Sequence, residues 1–253
     1  MKEIQIRKND AGQRLDRFVG KAVPLLPESL LQKYIRLKRI KRNGKSAKRD
    51  VRLVEGDVLQ LYINDEFFER PTEENAWLKI ATPRLDIVYE DENILLADKK
   101  PGVLCHSAGE WSWDTLISNI QAYLRQSGEW DPKAENAFTP ALCNRIDRNT
   151  GGIVIAAKNA EALRILNDKI RDREIDKAYL CVVCGRPKPA EGRLEGNLFK
   201  DAVKNQVYVT KKPQPGAKSA ATEYRTLQSR KGLSLVECRL LTGRTHQIRA
   251  QMA

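Results

Sequence analysis

Two short stretches of this 253-residue chain carry residue types that could do chemistry. In Arg145-Ile146-Asp147-Arg148-Asn149-Thr150-Gly151-Gly152 one acid lies between two arginines, directly before a turn-forming Thr-Gly-Gly. Nearby positive charge favours the ionised carboxylate, which leaves Asp147 available as a nucleophile. Strict alternation would place Arg145 and Asp147 on one side of an extended segment and Arg148 on the other. Gly151 and Gly152 permit a sharp or closely approached backbone just beyond the acid. Taken alone, the stretch also reads as a surface salt-bridge loop. The second stretch is Gly243-Arg244-Thr245-His246-Gln247-Ile248-Arg249, whose last arginine could partner Asp147. His106 is the one other histidine, and no acid cluster lies near His246, so no metal site is expected. Positioning by hydrogen bonding suits His246 better. Arg244 and Arg249 are five apart, so on a helix they diverge and serve different partners.

These residues need elements to hold them. Asp147 precedes a strand-like run, Ile153–Ala157, and the second motif follows the expected strand Leu233–Leu241 with a turn at Leu241-Thr242-Gly243. The polar run beyond that turn predicts a helix starting near Thr245. Further strands are expected at Ile87–Tyr89, Ile94–Ala97, Tyr179–Cys184 and Ser219–Leu227, with helices over Trp113–Gln126 and Asn159–Arg171. Strands that do not alternate strictly with helices imply an α+β domain with a largely antiparallel sheet over residues 85–253. Residues 66–84 mix acids, Pro71, Pro83 and scattered aromatics without a period, and read as a linker. No internal repeat or low-complexity tract is visible.

Composition narrows the class. The formal charge is +12, and residues 1–65 hold 16 Lys/Arg against 8 Asp/Glu, or +8 of that excess. A quarter of the chain with two thirds of the charge is the footprint of a polyanion-binding module. The first residues are charged and alternating, unlike a signal peptide, and no apolar run approaches the ~20 residues of a membrane helix. Five cysteines in a chain of this length read as reduced thiols in a cytoplasmic protein. The pair Cys181 and Cys184 would face opposite sides of a strand, with no second pair to complete a zinc or redox site. The four tryptophans, 77, 111, 113 and 130, read as core or linker packing rather than base-stacking platforms.

Within residues 1–65 a strand is expected at Glu3–Arg7, helices at Arg14–Ala22 and Glu28–Leu37, a tight turn at Asn43-Gly44 and a strand at Val58–Ile63. The second helix runs into Arg36-Leu37-Lys38-Arg39-Ile40-Lys41-Arg42-Asn43-Gly44-Lys45, where like charges crowd against one another. Helix end, turn and strand start would line one basic ridge against phosphates. The bland alternative is a lysine-rich soluble surface. The set Arg14-Leu15-Asp16, the second helix, Asn43-Gly44-Lys45 and Val54-Glu55-Gly56-Asp57 resembles the S-four RNA-binding domain over residues 12–63. That resemblance implies recognition of RNA shape and backbone, with Arg14, Arg36, Lys38, Arg39, Lys41, Arg42, Asn43 and Lys45 as the RNA-binding residues.

The remaining motifs resemble those of the RluA-type pseudouridine synthases. Asn144–Gly152 is similar to their His-Arg-Leu-Asp-x-x-Thr-Ser-Gly motif, and Gly243–Arg249 matches their Gly-Arg-Thr-His-Gln-Ile-Arg signature. Asp176–Gly185 resembles their Lys-x-Tyr strand ending in glycine, and Asp98–His106 their Asn/Asp-Lys-Pro-x-Gly-x-x-x-His segment. The four motifs occur in the family's order, behind an S-four-like domain.

The resemblance implies an enzyme that isomerises uridine in RNA to pseudouridine: the base detaches from ribose, rotates and rejoins through carbon. No cofactor is implied. Asp147 would be the catalytic acid residue, either attacking the anomeric carbon or abstracting a sugar proton. Arg249 would pair with Asp147 and aim it. Tyr179 would stack on the target base, although a half-buried strand tyrosine explains the residue as well. Arg145 would fill the stack space left by a flipped uridine. The expected partner is RNA, foremost large-subunit ribosomal RNA and then transfer RNA, and the protein is expected to act as a monomer away from membranes. Asn144, Ile146 and Gly151 depart from the family's His, Leu and Ser without threatening catalysis. The family runs on for several dozen residues beyond this arginine, so a fragment with weak or no activity is expected. The rival reading is a non-catalytic RNA-binding or assembly factor with a vestigial synthase domain.

Overall fold

The computed structural model describes residues 1–68, 76–107, 112–201, 206–210 and 214–253. The chain divides into two compact units, Met1–Asn167 and Asp168–Ala253. Every strand pairing among the described residues is antiparallel, in three sheets, which gives the α+β class expected.

The first unit begins with β1 (Lys2–Gln5), α1 (Leu15–Ala22), α2 (Glu28–Arg36), β2 (Ile40–Arg42), β3 (Lys45–Ser46) and β4 (Val58–Leu61), in a sheet ordered β1-β4-β2-β3. Helical spacing of Leu15, Phe18 and Val19 puts all three in a core with Leu31, Tyr34, Ile40, Leu59 and Leu61. Pro27, at φ −58°, stands directly before α2, where a fixed φ costs the helix nothing. That helix ends in a pair of reversed bonds, Lys38 N–H to Ile35 C=O (3.0 Å) and Arg39 N–H to Tyr34 C=O (2.9 Å), with Lys38 left-handed at φ 56°. The Asn43-Gly44 turn has positive φ at both residues, 51° and 77°, as a two-residue hairpin twist requires.

The same unit continues with β5 (Ile87–Glu90), β6 (Ile94–Lys99), α3 (Leu116–Gln126), β7 (Ala141–Leu142), β8 (Gly152–Ala157) and α4 (Ala160–Arg171, whose last turn lies beyond the unit boundary), with strand order β5-β6-β8-β7. The core here joins Leu95 and Ala97 of β6, Val154 and Ala156 of β8, and Leu116, Ile120 and Leu124 of α3. α3 begins three residues later than the Trp113 expected, because the Thr115 hydroxyl accepts the Ser118 N–H (3.2 Å) and caps it.

The segment read as a linker behaves differently over its described residues. Asp65–Phe68 and Ala76–Lys79 are short 3-10 turns, and Trp77 and Ile80 are buried in the second core. Trp77 meets Trp130 edge-on at 5.6 Å and lies under the Arg125 guanidinium at 5.3 Å. Aromatics scattered without a period register no helix or strand in the sequence, yet they fill a core. Residues 69–75 lie outside the described residues. Polar bonds also tie the loop after β1 to later segments of the same unit. Asn136 Nδ2 donates to Gln5 C=O (2.9 Å) and to Asp10 Oδ2 (2.7 Å), and Arg164 Nη1 donates to Ala11 C=O (3.0 Å).

The second unit is a five-stranded sheet, β11-β10-β12-β13-β9, of β9 (Ala178–Cys184), β10 (Glu191–Asp201), β11 (Gln206–Thr210), β12 (Lys218–Arg230) and β13 (Leu233–Leu240), followed by α5 (Gln247–Gln251). β10 and β11 escaped the sequence reading. In Glu191–Asp201 the charged Glu191, Arg193 and Glu195 alternate with Gly192, Leu194 and Gly196, so glycines hide the apolar half of the pattern. Those glycines make room: a Cβ at Gly192 would lie 3.3 Å from the Tyr224 ring, and one at Gly196 3.3 Å from Val209.

Trp77→Ala is expected to cost about 3 kcal/mol of stability in denaturant unfolding, whereas an unpacked linker tryptophan would leave the midpoint unchanged.

Candidate active site

Asp147 lies in an extended segment ahead of β8 and opens a turn, its carbonyl accepting the Thr150 N–H at 3.1 Å. The two glycines serve the turn differently. Gly152 has φ 126°, and a Cβ at Gly151 would lie 3.2 Å from Pro101 Cδ. Asn144 holds the incoming side of the segment, accepting the Ile155 N–H (2.8 Å) and donating to Ile153 C=O (3.3 Å). Ile146 packs against the second core, and Asp147 itself is half-buried.

The other flank is the 98–106 motif. Lys99, only 1% exposed, ends β6, and its ammonium donates to three carbonyls: Val103 (2.8 Å), Arg148 (3.0 Å) and Lys100 (3.1 Å). Gly102 N–H also donates to Arg148 C=O (2.8 Å), and Arg148 Nε returns a bond to Gly102 C=O (3.1 Å). The Cys105 thiol points at Ile146 C=O, 3.5 Å away. Two motifs 40-odd residues apart in sequence thus form one backbone knot around the acid. Burial pushes the Lys99 ammonium below its usual range, while Cys105 and the Asp147 carboxylate act to raise it. Arg145 is exposed. The His106 imidazole is held below its usual range by desolvation first and then by the charge of Arg145. Arg148, expected to sit across from Asp147, spends its Nε on the Gly102 carbonyl.

Tyr179 and Arg249 belong to the second unit. Tyr179 is half-buried on β9, opposite Cys238 of β13. Cys181 faces the same way as Tyr179, its sulfur 3.8 Å from that of Cys238, while Cys184 is exposed. Burial pushes the Cys238 thiol up to about 12, so it is protonated at neutral pH. Arg249 is exposed on α5, which begins at Gln247 rather than near Thr245; His246 before it is left-handed at φ 54°. Sequence reasoning passed over Gln247, which is 3% exposed and bonded to both sides of the Thr242–Arg244 turn and to β12. The sequence carried no signal for it beyond its place in the motif.

The basic residues of the first sheet divide into two sets. Arg36, Lys38, Arg39, Asn43 and Lys45 are exposed, and Lys41 and Arg39 lie over the rings of Tyr62 (5.3 Å) and Tyr34 (5.2 Å). Arg42 instead pairs with the buried Asp57 (2.6 Å), whose carboxylate also accepts from Asn43 Nδ2 (2.8 Å) and Val54 N–H (2.7 Å). Burial opposes ionisation of Asp57, but the bonds from Val54, Arg42 and Asn43 hold it below the usual carboxylate range. Arg14 forms a two-pronged pair with Asp16, at 2.6 and 3.1 Å. Arg42, Lys45 and Lys48 line an open concavity beside the Asn43-Gly44 turn, and Lys48 had not been singled out. Among the described residues no group of three potential metal ligands forms, and no helix is long and apolar enough to cross a membrane.

The family model for RNA pseudouridylate synthases matches residues 93–253, so the chain belongs to that family and is a pseudouridine synthase, an isomerase. The chain is similar, at 33% identity over 97% of its own length and 76% of the relative's, to an uncharacterised RNA pseudouridine synthase of Mycoplasma genitalium. It is similar at 28% identity, over 97% of itself and 74% of the relative, to ribosomal large subunit pseudouridine synthase C of Vibrio parahaemolyticus. Human RNA pseudouridylate synthase domain containing 4 shares the fold over 70% of this chain and 66% of its own, with a TM-score of 0.53 and 21% identity.

Lys99→Met is expected to remove the donor that joins the Val103, Arg148 and Lys100 carbonyls, although Arg148 C=O keeps the Gly102 N–H, and to cost roughly 2 kcal/mol, with turnover lost even at temperatures where the protein stays folded. Unchanged stability and turnover would mean that the ammonium is not what holds the Asp147 turn.

Proposed function

We propose that this enzyme converts uridines of large-subunit ribosomal RNA to pseudouridine with Asp147 as the catalytic residue. The observation that supports this most is the half-buried acid on a turn clamped from both flanks, by Lys99 and by Asn144. Such a carboxylate is fixed before substrate arrives, so little reorganisation is needed in the transition state. Acting on the ribose, it loosens the glycosidic bond; the uracil then turns and rejoins through carbon. Arg249 orients the carboxylate, and Tyr179 stacks on the base. Arg145, exposed beside the acid, enters the helical stack in place of the extruded uridine, where a planar cation offsets part of the few kcal/mol of unstacking. Relatives named for the ribosomal large subunit support that choice of RNA.

The basic first sheet serves as an S-four-like RNA-binding domain. Arg36, Lys38, Arg39, Lys41 and Lys45 contact phosphates, while Arg42 and Asn43 chiefly build the turn with Asp57. Lys38 carries particular weight. A left-handed helix terminus prefers glycine, and a lysine there costs about 1 kcal/mol. Retaining a cation at that cost is explained by a phosphate contact.

Tritium release from labelled ribosomal RNA tests the reaction: Asp147→Asn is expected to slow product formation by at least ~10³-fold. Equal product from both proteins would remove Asp147 from the chemistry, and product from neither would favour RNA binding without catalysis. Lys38→Gly is expected to stabilise the fold by up to about 1 kcal/mol while weakening RNA binding and lowering the slope of log K against log salt by about one. A more stable variant with an unchanged slope would make Lys38 an ordinary surface lysine.

A further inference from the structure

Arg249 stands on a helix too short to hold it. α5 spans the five residues Gln247–Gln251, and free helices below ~12 residues are marginal in water. What fixes α5 is a run of polar side chains within the second unit. Gln247 and Gln251 are one turn apart and share a face. The Gln247 amide uses both ends. Its Oε1 accepts from Thr242 Oγ1 (2.8 Å) and Arg244 N–H (3.0 Å), and its Nε2 donates to Ala221 C=O (3.0 Å) and Thr222 Oγ1 (2.8 Å). The Thr222 hydroxyl, fully buried, passes the chain on by donating to Gln251 Oε1 (2.7 Å), and Gln251 Nε2 donates to Leu194 C=O (3.1 Å). Thr222 and Leu194 are register partners on β12 and β10, so the helix is bolted across two paired strands.

Arg249 lies two residues from each glutamine, which turns it about 200° away from both. It is exposed on the face opposite the bolted one. An apolar contact there could slide or rotate at little cost. Directional bonds to fixed backbone and hydroxyl groups set both the rotation of the helix and its height along its axis.

We propose that Gln247, Thr222 and Gln251 are positioning residues that act through Arg249, setting where its guanidinium stands during turnover. This rests on the reading of Arg249 as part of the catalytic machinery. Thr222→Val keeps the side-chain volume but removes both the acceptor for Gln247 and the donor to Gln251. In steady-state pseudouridine formation, kcat is expected to fall by roughly 10²-fold, with KM changed by less than about twofold, and Thr222→Ser is expected to recover most of the loss. In an Arg249→Ala background Thr222→Val is expected to add nothing, because the two act as a unit. Amide exchange over Arg249–Gln251, readable at any level of activity, is expected to speed up in Thr222→Val without a change elsewhere in the sheet.

An inactive Arg249→Ala beside a fully active Thr222→Val would overturn the positioning role alone. A further loss in the Arg249→Ala background, or unaltered exchange over Arg249–Gln251, would overturn it as well. A fully active Arg249→Ala would overturn the role of Arg249 and the positioning role with it, and that single variant tells the two failures apart.

Discussion

The buried ammonium of Lys99 is the interaction on which the neighbourhood of Asp147 depends. A charge removed from water must be compensated by directed partners, and three backbone carbonyls provide them, one of them on Arg148 beside the acid. Because those carbonyls come from two segments far apart in the chain, the ammonium ties both to the end of β6. The turn that carries Asp147 therefore takes its shape from a lysine whose ammonium is bonded to backbone carbonyls. Gly151 belongs to the same constraint: a Cβ there would lie 3.2 Å from Pro101 Cδ, a tight approach that the ring would have to yield to.

The second unit solves a related problem with neutral groups. Within the motif Gly243–Arg249 one polar side chain, Gln247, is drawn inward and anchors α5. Gln247 is buried where a surface motif would have it exposed. In each unit an exposed arginine, Arg145 or Arg249, lies close in sequence to an inward-facing network, the Lys99 bonds or the Gln247 bonds.

Much of this was legible in the sequence, for identifiable reasons. The strands β6, β8, β9 and β13 and the helices α1, α2 and α4 declared themselves through apolar period, and Asn43-Gly44 announced its hairpin because few other pairs tolerate two positive φ angles. The strand β10 did not, since Gly192 and Gly196 occupy positions where a reader looks for apolar residues, and the five-residue β11 offers too short a run to stand out. Trp77, read as core or linker packing, and Ile80, within the segment read as a linker, are both in the core, which a short 3-10 turn has no period to reveal. Arg42 and Asn43 were expected among the RNA-binding residues by resemblance, and in the structure both also bond the buried Asp57.

Residue types at short, fixed spacings were enough to point to the family and the α+β class and to nominate Asp147, Tyr179 and Arg249 as candidates. Local order along the chain carries that information in full. Folding in three dimensions settled which of the cations are committed and which are exposed, what Lys99 is for, and how a five-residue helix holds its arginine. Those outcomes depend on partners tens of residues away, Lys99 with Arg148 and Gln247 with Thr222. A hydrogen bond between distant residues leaves no period in the sequence that contains them.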